Sequence, residues 1–182
     1  MTEANWIDHF ISFLEELERS KSRGALAVLR RGLGKPPGTT PEMYRYIVPW
    51  TSGLSRWRED ACYVVAALFA WHPQPGGSGN LGNSFASLAR QVQQDQGAKK
   101  IPEALEGRFT ALLNSRQEDL PGYLRQAVSL LKSKEVPLDW RQLLKDYLAW
   151  EREDRRVQRD WARAFWRQSA VTENIEEGGV HQ

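Results

Sequence analysis

Cysteine occurs once in this chain, at Cys62, so an intrachain disulfide is excluded. The residue lies in an apolar run and reads as a small core side chain, and a single thiol fits a reducing compartment. Histidine is nearly as scarce. His9, His72 and His181 fall on a first helix, at a helix end and in the tail, and their spacing builds neither a metal site nor a catalytic triad. No catalytic residue, metal or cofactor is therefore assigned. Long apolar runs are missing: the longest, Ala61 to Trp71, is far shorter than the roughly 20 residues that span a bilayer. The N-terminus has no basic segment followed by an apolar one, so a signal peptide is not expected. These absences lead to the expectation of a soluble, cytoplasmic protein without membrane contact. Sustained period-two alternation and internal repeats are also absent, which leaves little room for a sheet.

What is present is helical periodicity. At 182 residues with 41% hydrophobic content, the chain can form one domain or two small lobes sharing a core. Trp6, Phe10, Phe13/Leu14 and Leu17 make a first stripe. Leu26, Leu29 and Leu33 make a second, ended by Gly34 and Pro36-Pro37. A short helix is expected over Pro41–Val48, with Pro49 ending it. Trp57, Ala61, Val64, Leu68 and Trp71 define a helix whose second half is apolar all round, as at the centre of a bundle. Further stripes follow at Leu81–Val92, Leu105–Leu113 and Leu120–Leu131. A last pattern runs from Trp140 through Trp150 and Trp161 to Phe165, leaving room for a bend at Glu151–Asp154 that nothing in the sequence forces. The fold class is all-α, in two packed helical bundles. The polar stretch Gln91–Lys100 suggests lobes at 1–97 and 98–170, with a disordered acidic tail at 171–182.

Charge is informative by position rather than by sum. The formal net charge is only +2, yet Arg19 to Lys35 holds six basic residues and no acidic one. Arg30 and Arg31 stand beside the leucine stripe with no carboxylate nearby in sequence. Near the C-terminus Arg152, Arg156, Arg159, Arg163 and Arg167 recur at spacings of 4, 3, 4 and 4. At about 100° per residue they fall on one narrow arc of a helix. Such a row suits a polyanion, because a guanidinium forks onto phosphate; the alternative is a solvated face. Glu151–Arg155, Glu153–Arg156 and Arg156–Asp160 have the spacing of surface ion pairs, worth a few tenths of a kcal/mol each.

Two glycine segments invite other readings. Gly77 to Gly82 matches G-x-G-x-x-G, but the residues before it continue a helical stripe, whereas a dinucleotide site needs a strand there. Gly32-Leu33-Gly34-Lys35 lacks the serine or threonine that completes a phosphate-binding loop. Of the eight tryptophans, Trp6, Trp57, Trp71, Trp140, Trp150 and Trp161 lie on apolar stripes and read as core or lobe-interface residues. Trp50 and Trp166 are less constrained and free to be exposed.

An ordered series of short motifs covers Trp6 to Arg167. It runs Leu29-Arg30-Arg31, Met43-Tyr44-Arg45-Tyr46-Ile47-Val48-Pro49-Trp50, Leu81-Gly82 with Leu88-Ala89, and Arg108-Phe109 with Leu112-Leu113 and Arg116. It ends with Leu124-Arg125, Leu138-Asp139-Trp140, and Trp150 leading into an arginine-rich helix. In this order the chain resembles the CasB family, the small subunit of the type I-E CRISPR Cascade complex. The resemblance implies an all-helical, non-catalytic protein working beside a second copy of itself. Its implied partners are the crRNA-containing Cascade complex with its backbone and large subunits, the target DNA and the displaced strand. The family's basic residues stabilise the R-loop. The matching positions are Arg30, Arg31, Arg56, Arg116, Arg125, Arg152, Arg156, Arg159 and Arg163. Gln126 departs from the pattern, standing where the family can carry a second basic residue.

Three functions follow for comparison. A binder of nucleic-acid backbones would use the arginines. A helical adaptor would work through protein contacts, without touching nucleic acid. A nucleotide-dependent enzyme would need the Gly77–Gly82 loop.

Overall fold

The structure, a computed structural model, describes residues 3–74 and 76–177, with side-chain surroundings for 5–74 and 76–167. The described residues are helical and contain no strand. The α-helices are α1 (Glu3–Arg19), α2 (Arg23–Arg30), α3 (Tyr44–Thr51), α4 (Arg56–Trp71), α5 (Leu81–Gln96), α6 (Glu103–Asn114), α7 (Leu120–Ser133), α8 (Trp140–Leu148) and α9 (Arg156–Glu177). A 3-10 turn, Pro41–Met43, precedes α3. The all-α expectation holds.

The chain divides into two units. The first is Met1–Pro75 with Trp140–Ala149, and the second is Gly76–Asp139 with Trp150–Gln182. The border therefore falls at Pro75, and α8 belongs with the first unit. The lobes expected at 1–97 and 98–170 are drawn differently, for a physical reason. The polar stretch from Gln91 is the solvated end of α5, closed by Gly97 in the left-handed conformation. It is a helix end, not a linker.

In the first unit α4 is central, with α2, α3 and α8 packed on it. Its residues from Ala61 to Ala70 are all buried, as its uninterrupted apolar run requires. Phe10, Ile11 and Leu14 of α1, Leu29 of α2 and Ile47 of α3 fill the same core. Trp57 stacks on Tyr147 with ring centres 5.2 Å apart, and Phe69 meets Trp140 edge-on at 5.5 Å. Arg141 ties α8 to α1, donating to Glu15 at 2.6 Å and Ser12 at 2.9 Å.

Helix α3 continues through Pro49 to Thr51 rather than ending before it. The hydrogen bond that proline cannot donate would go to the Arg45 carbonyl. Both residues are exposed, on the side of α3 where solvent can supply the missing donor.

In the second unit α5 lies along α9. Phe85, Phe109 and Phe165 gather at its centre, with neighbouring rings 4.5 to 6.4 Å apart. The glycine loop has a packing role. A Cβ on Gly82 would strike the Trp161 backbone carbonyl, and one on Gly77 would strike the Leu138 backbone. Asn80 caps α5: it accepts from the Asn83 amide and donates its own amide to the Asn83 side chain at 2.9 Å. The segment before the loop is α4, so the strand a dinucleotide site needs is absent there.

The C-terminal pattern is broken. Residues 149–155 are turns between α8 and α9, and Arg155 has φ 49°. Beyond the break, α9 runs to Glu177, so residues 171–177 of the expected tail are helical. Residues 178–182 lie outside those described.

Candidate nucleic-acid interface

The arginines chosen from sequence stand on surfaces set by buried neighbours. On α2, Ala25, Leu26 and Leu29 are buried, and Arg30, the last residue of the helix, is exposed at the border of that face. Its Nε donates to the Leu26 carbonyl at 3.4 Å, a weak bond at a helix end. Arg31 lies just beyond, exposed and 3.4 Å from the Glu42 carboxylate. Glu42 is eleven residues on, across the Pro36–Pro37 loop, so local sequence gives no sign of this partner. Both groups are more than half exposed, and such a pair is readily exchanged for a phosphate. Arg56 opens α4, 93% exposed, with Asp60 at 3.9 Å. These three arginines belong to the first unit.

The other six belong to the second unit. Arg116 is exposed with Glu118 at 3.9 Å. Arg125 is exposed on α7 at the border of the face buried by Leu124 and Val128, with no ion pair among the described residues. Arg152 is not on α9. It lies in the preceding turn, 3.4 Å from Asp154. The helical row thus begins at Arg156 and contains Arg159, Arg163 and Arg167. Buried Val157, Trp161 and Phe165 hold the opposite face of α9. Asp160 stands between Arg156, at 3.6 Å, and Arg163, at 2.9 Å. Arg159 and Arg167 are exposed with no ion pair among the described residues.

Of the expected helical pairs only Arg156–Asp160 forms among the described residues. Arg155 instead donates to the Leu113 carbonyl at 2.5 Å. Asp154 accepts the Arg156 amide at 3.1 Å. That bond, with Arg152 beside it, holds the Asp154 carboxyl below the usual carboxylate range.

The tryptophans sort largely as their stripes imply. Trp6, Trp140, Trp150 and Trp161 are buried, Trp57 and Trp71 half-buried, and Trp50 and Trp166 are each 36% exposed. Burial pushes the Cys62 thiol well above its ordinary range, with the Glu59 charge adding to the shift. A thiol in that state is a poor nucleophile. Among the described residues no three histidine, cysteine or carboxylate side chains gather as a metal site. No helix among them is long and apolar enough to cross a membrane.

Comparison with known proteins agrees with this architecture. Residues 25–166 match the family model for CRISPR-associated protein Cse2. A CRISPR-associated protein Cse2 of Thermus thermophilus is 34% identical over 171 residues, covering 91% of this chain and 93% of that protein. The crystal structure of CasB from Thermus thermophilus superposes with a TM-score of 0.74 at 29% identity, over 91% of this chain and 99% of that one. M. ruber CasB gives 0.73 at 32% identity, over 95% and 99%. A chain of a CRISPR RNA-guided surveillance complex in a pre-nicking state gives 0.76 at 26% identity, over 96% and 99%.

Proposed function

The chain belongs to the CRISPR-associated Cse2 (CasB) family, and from that membership we propose that it is the non-catalytic small subunit of a type I-E CRISPR surveillance complex. In this reading it binds the crRNA–target duplex region and the displaced strand through its basic residues, works beside a second copy of itself, and stabilises the R-loop. The observation that carries the proposal is the placing of the arginines. Arg159 and Arg163 occupy the face of α9 opposite buried Val157, Trp161 and Phe165, and Arg30 and Arg125 are exposed at the borders of the leucine-lined faces of α2 and α7. Packing of the buried faces leaves these arginines at the surface, with their guanidiniums exposed to water.

The chemistry suits the task. R-loop formation exchanges a DNA duplex for a guide–target duplex of nearly equal stability, so modest backbone contacts shift the balance. Each guanidinium released from a surface carboxylate such as Glu42 or Asp160 can fork onto a phosphate. Phosphate contacts carry no sequence information, and none is needed where base pairing selects the target.

The direct test is salt dependence. Binding of a single-stranded oligonucleotide by the full chain should weaken linearly in log affinity against log salt, by about 0.7 per phosphate neutralised. Arg30→Ala with Arg31→Ala should lower that slope by about 1 to 1.5. An unchanged slope would remove these two residues from the interface. Binding that ignores salt would favour the adaptor instead.

A further inference from the structure

Four large hydrophobic side chains stand out as exposed among the described residues, and three of them share one eight-residue helix: Tyr44, Val48 and Trp50 of α3. Ile47 and Thr51 turn inward and are buried. Tyr46 and Trp50, four residues apart, therefore lie along one edge of the helix. Phe13 of α1 stacks on the Trp50 indole with ring centres 4.9 Å apart and planes at 27°. That stack braces the indole, which remains 36% exposed. The Arg45 guanidinium lies 5.1 Å from the centre of the Tyr46 ring. Arg45 is exposed and has no ion pair among the described residues.

The surroundings identify the occupant. Residues 19 to 58 contain nine lysines and arginines and one acidic residue, Glu42. Arg31 engages that carboxylate, and Arg19 and Arg56 at the ends of the stretch pair with Glu16 and Asp60 just outside it, which leaves Arg45 beside the rings without an ion pair among the described residues. An aromatic edge inside so basic a stretch is matched by a ligand that is anionic and has flat apolar faces. Single-stranded nucleic acid has both: phosphates for the cations and bases for the rings. Paired bases are stacked on one another and offer no free face, so the ligand is an unpaired strand.

We propose that α3 is a stacking platform on which the Trp50 indole, braced by Phe13, receives an unpaired base while Arg45, held over Tyr46, takes a neighbouring phosphate. This rests on the nucleic-acid reading above and extends it from backbone contact to base contact. Stacking is tolerant of sequence because every base has a π-face, so the platform adds grip without adding selectivity.

The test uses the full chain at low salt with two strands of equal length, oligo(dT) and the same backbone with abasic residues. The wild type should prefer oligo(dT). Trp50→Ala should weaken oligo(dT) binding about fivefold or more, leave the abasic strand unaffected, and keep the salt slope. Trp50→Phe should restore most of the loss. Photocrosslinking of the wild type to a 5-iodouracil oligonucleotide, which does not depend on the variant folding, should map to Trp50. Equal wild-type affinity for the two strands, or crosslinks confined elsewhere, would overturn the platform and leave the backbone reading standing. Wild-type binding to neither strand would overturn both. A Trp50→Ala chain that binds strands normally but fails to join its complex would overturn the platform and assign this edge to protein contact.

Discussion

Gly82 is held at the crossing of α5 and α9 by the Trp161 carbonyl, against which no side-chain atom fits. Gly82→Ala should destabilise the protein by about 1–3 kcal/mol in chemical denaturation, because the helices must separate to admit the methyl group. The motif match that suggested a cofactor loop thus marks a close packing contact. Two tyrosines carry a second prediction. Burial, with Glu59 adding to it, pushes the Tyr63 phenol up to about 12, and burial raises Tyr147 as well. Between about pH 10 and pH 12 the unfolded chain loses these protons before the folded one does, so stability should fall across that window. Tyr147→Phe should flatten the fall in a pH series of thermal melts. At this scale the sequence was a good guide to which cations face water, since Leu26 and Leu29 orient Arg30. It gave no sign of Glu42 beside Arg31, because that contact is made by a loop closing across eleven residues, and helical periodicity records only neighbours within a turn.

The elements were legible wherever one apolar stripe had one buried face, as in α1, α2 and α7. The break between α8 and α9 falls where the sequence left room for a bend but did not require one, for a geometric reason. Trp150 and Trp161 are eleven residues apart, close to three helical turns, so a continuous helix would show the same spacing. Both are buried, with ring centres 5.0 Å apart, but they stand on opposite sides of a turn in which Arg155 adopts a left-handed conformation. Asp154 then accepts the first amide of α9. Its carboxyl titrates below the usual range, so its support of the helix start is complete above the unfolded carboxylate pKa. That support is lost as pH falls through the lower folded value. Asp154→Ala should speed amide hydrogen exchange over residues 156–158 while leaving α5 unaffected. At the start of α5 the reciprocal Asn80–Asn83 cap is a firmer feature. Asn80→Ala should cost about 0.5–2 kcal/mol in global stability, read by denaturant titration. The stop at Pro49 failed because the donor it removes lies on the solvent side of α3.

At the scale of the molecule, the all-helical class followed from sequence, while the division into units did not. Composition marked Gln91–Lys100 as a border because it is polar, yet polarity there reflects an exposed helix end. The return of Trp140–Ala149 to the first unit depends on Trp140 and Tyr147 finding aromatic partners on α4. Those are long-range choices that no local pattern encodes. The distribution of charge matters more for function than its sum of +2. Basic residues stand exposed in both units, and the few carboxylates beside them hold them weakly. The most direct test of the central claim is the lifetime of the R-loop in a reconstituted surveillance complex containing this subunit, measured across a salt series. Arg30→Ala with Arg31→Ala should shorten that lifetime severalfold at low salt, with the difference shrinking as salt rises. A lifetime equal to that of the unaltered complex at every salt concentration would contradict the claim.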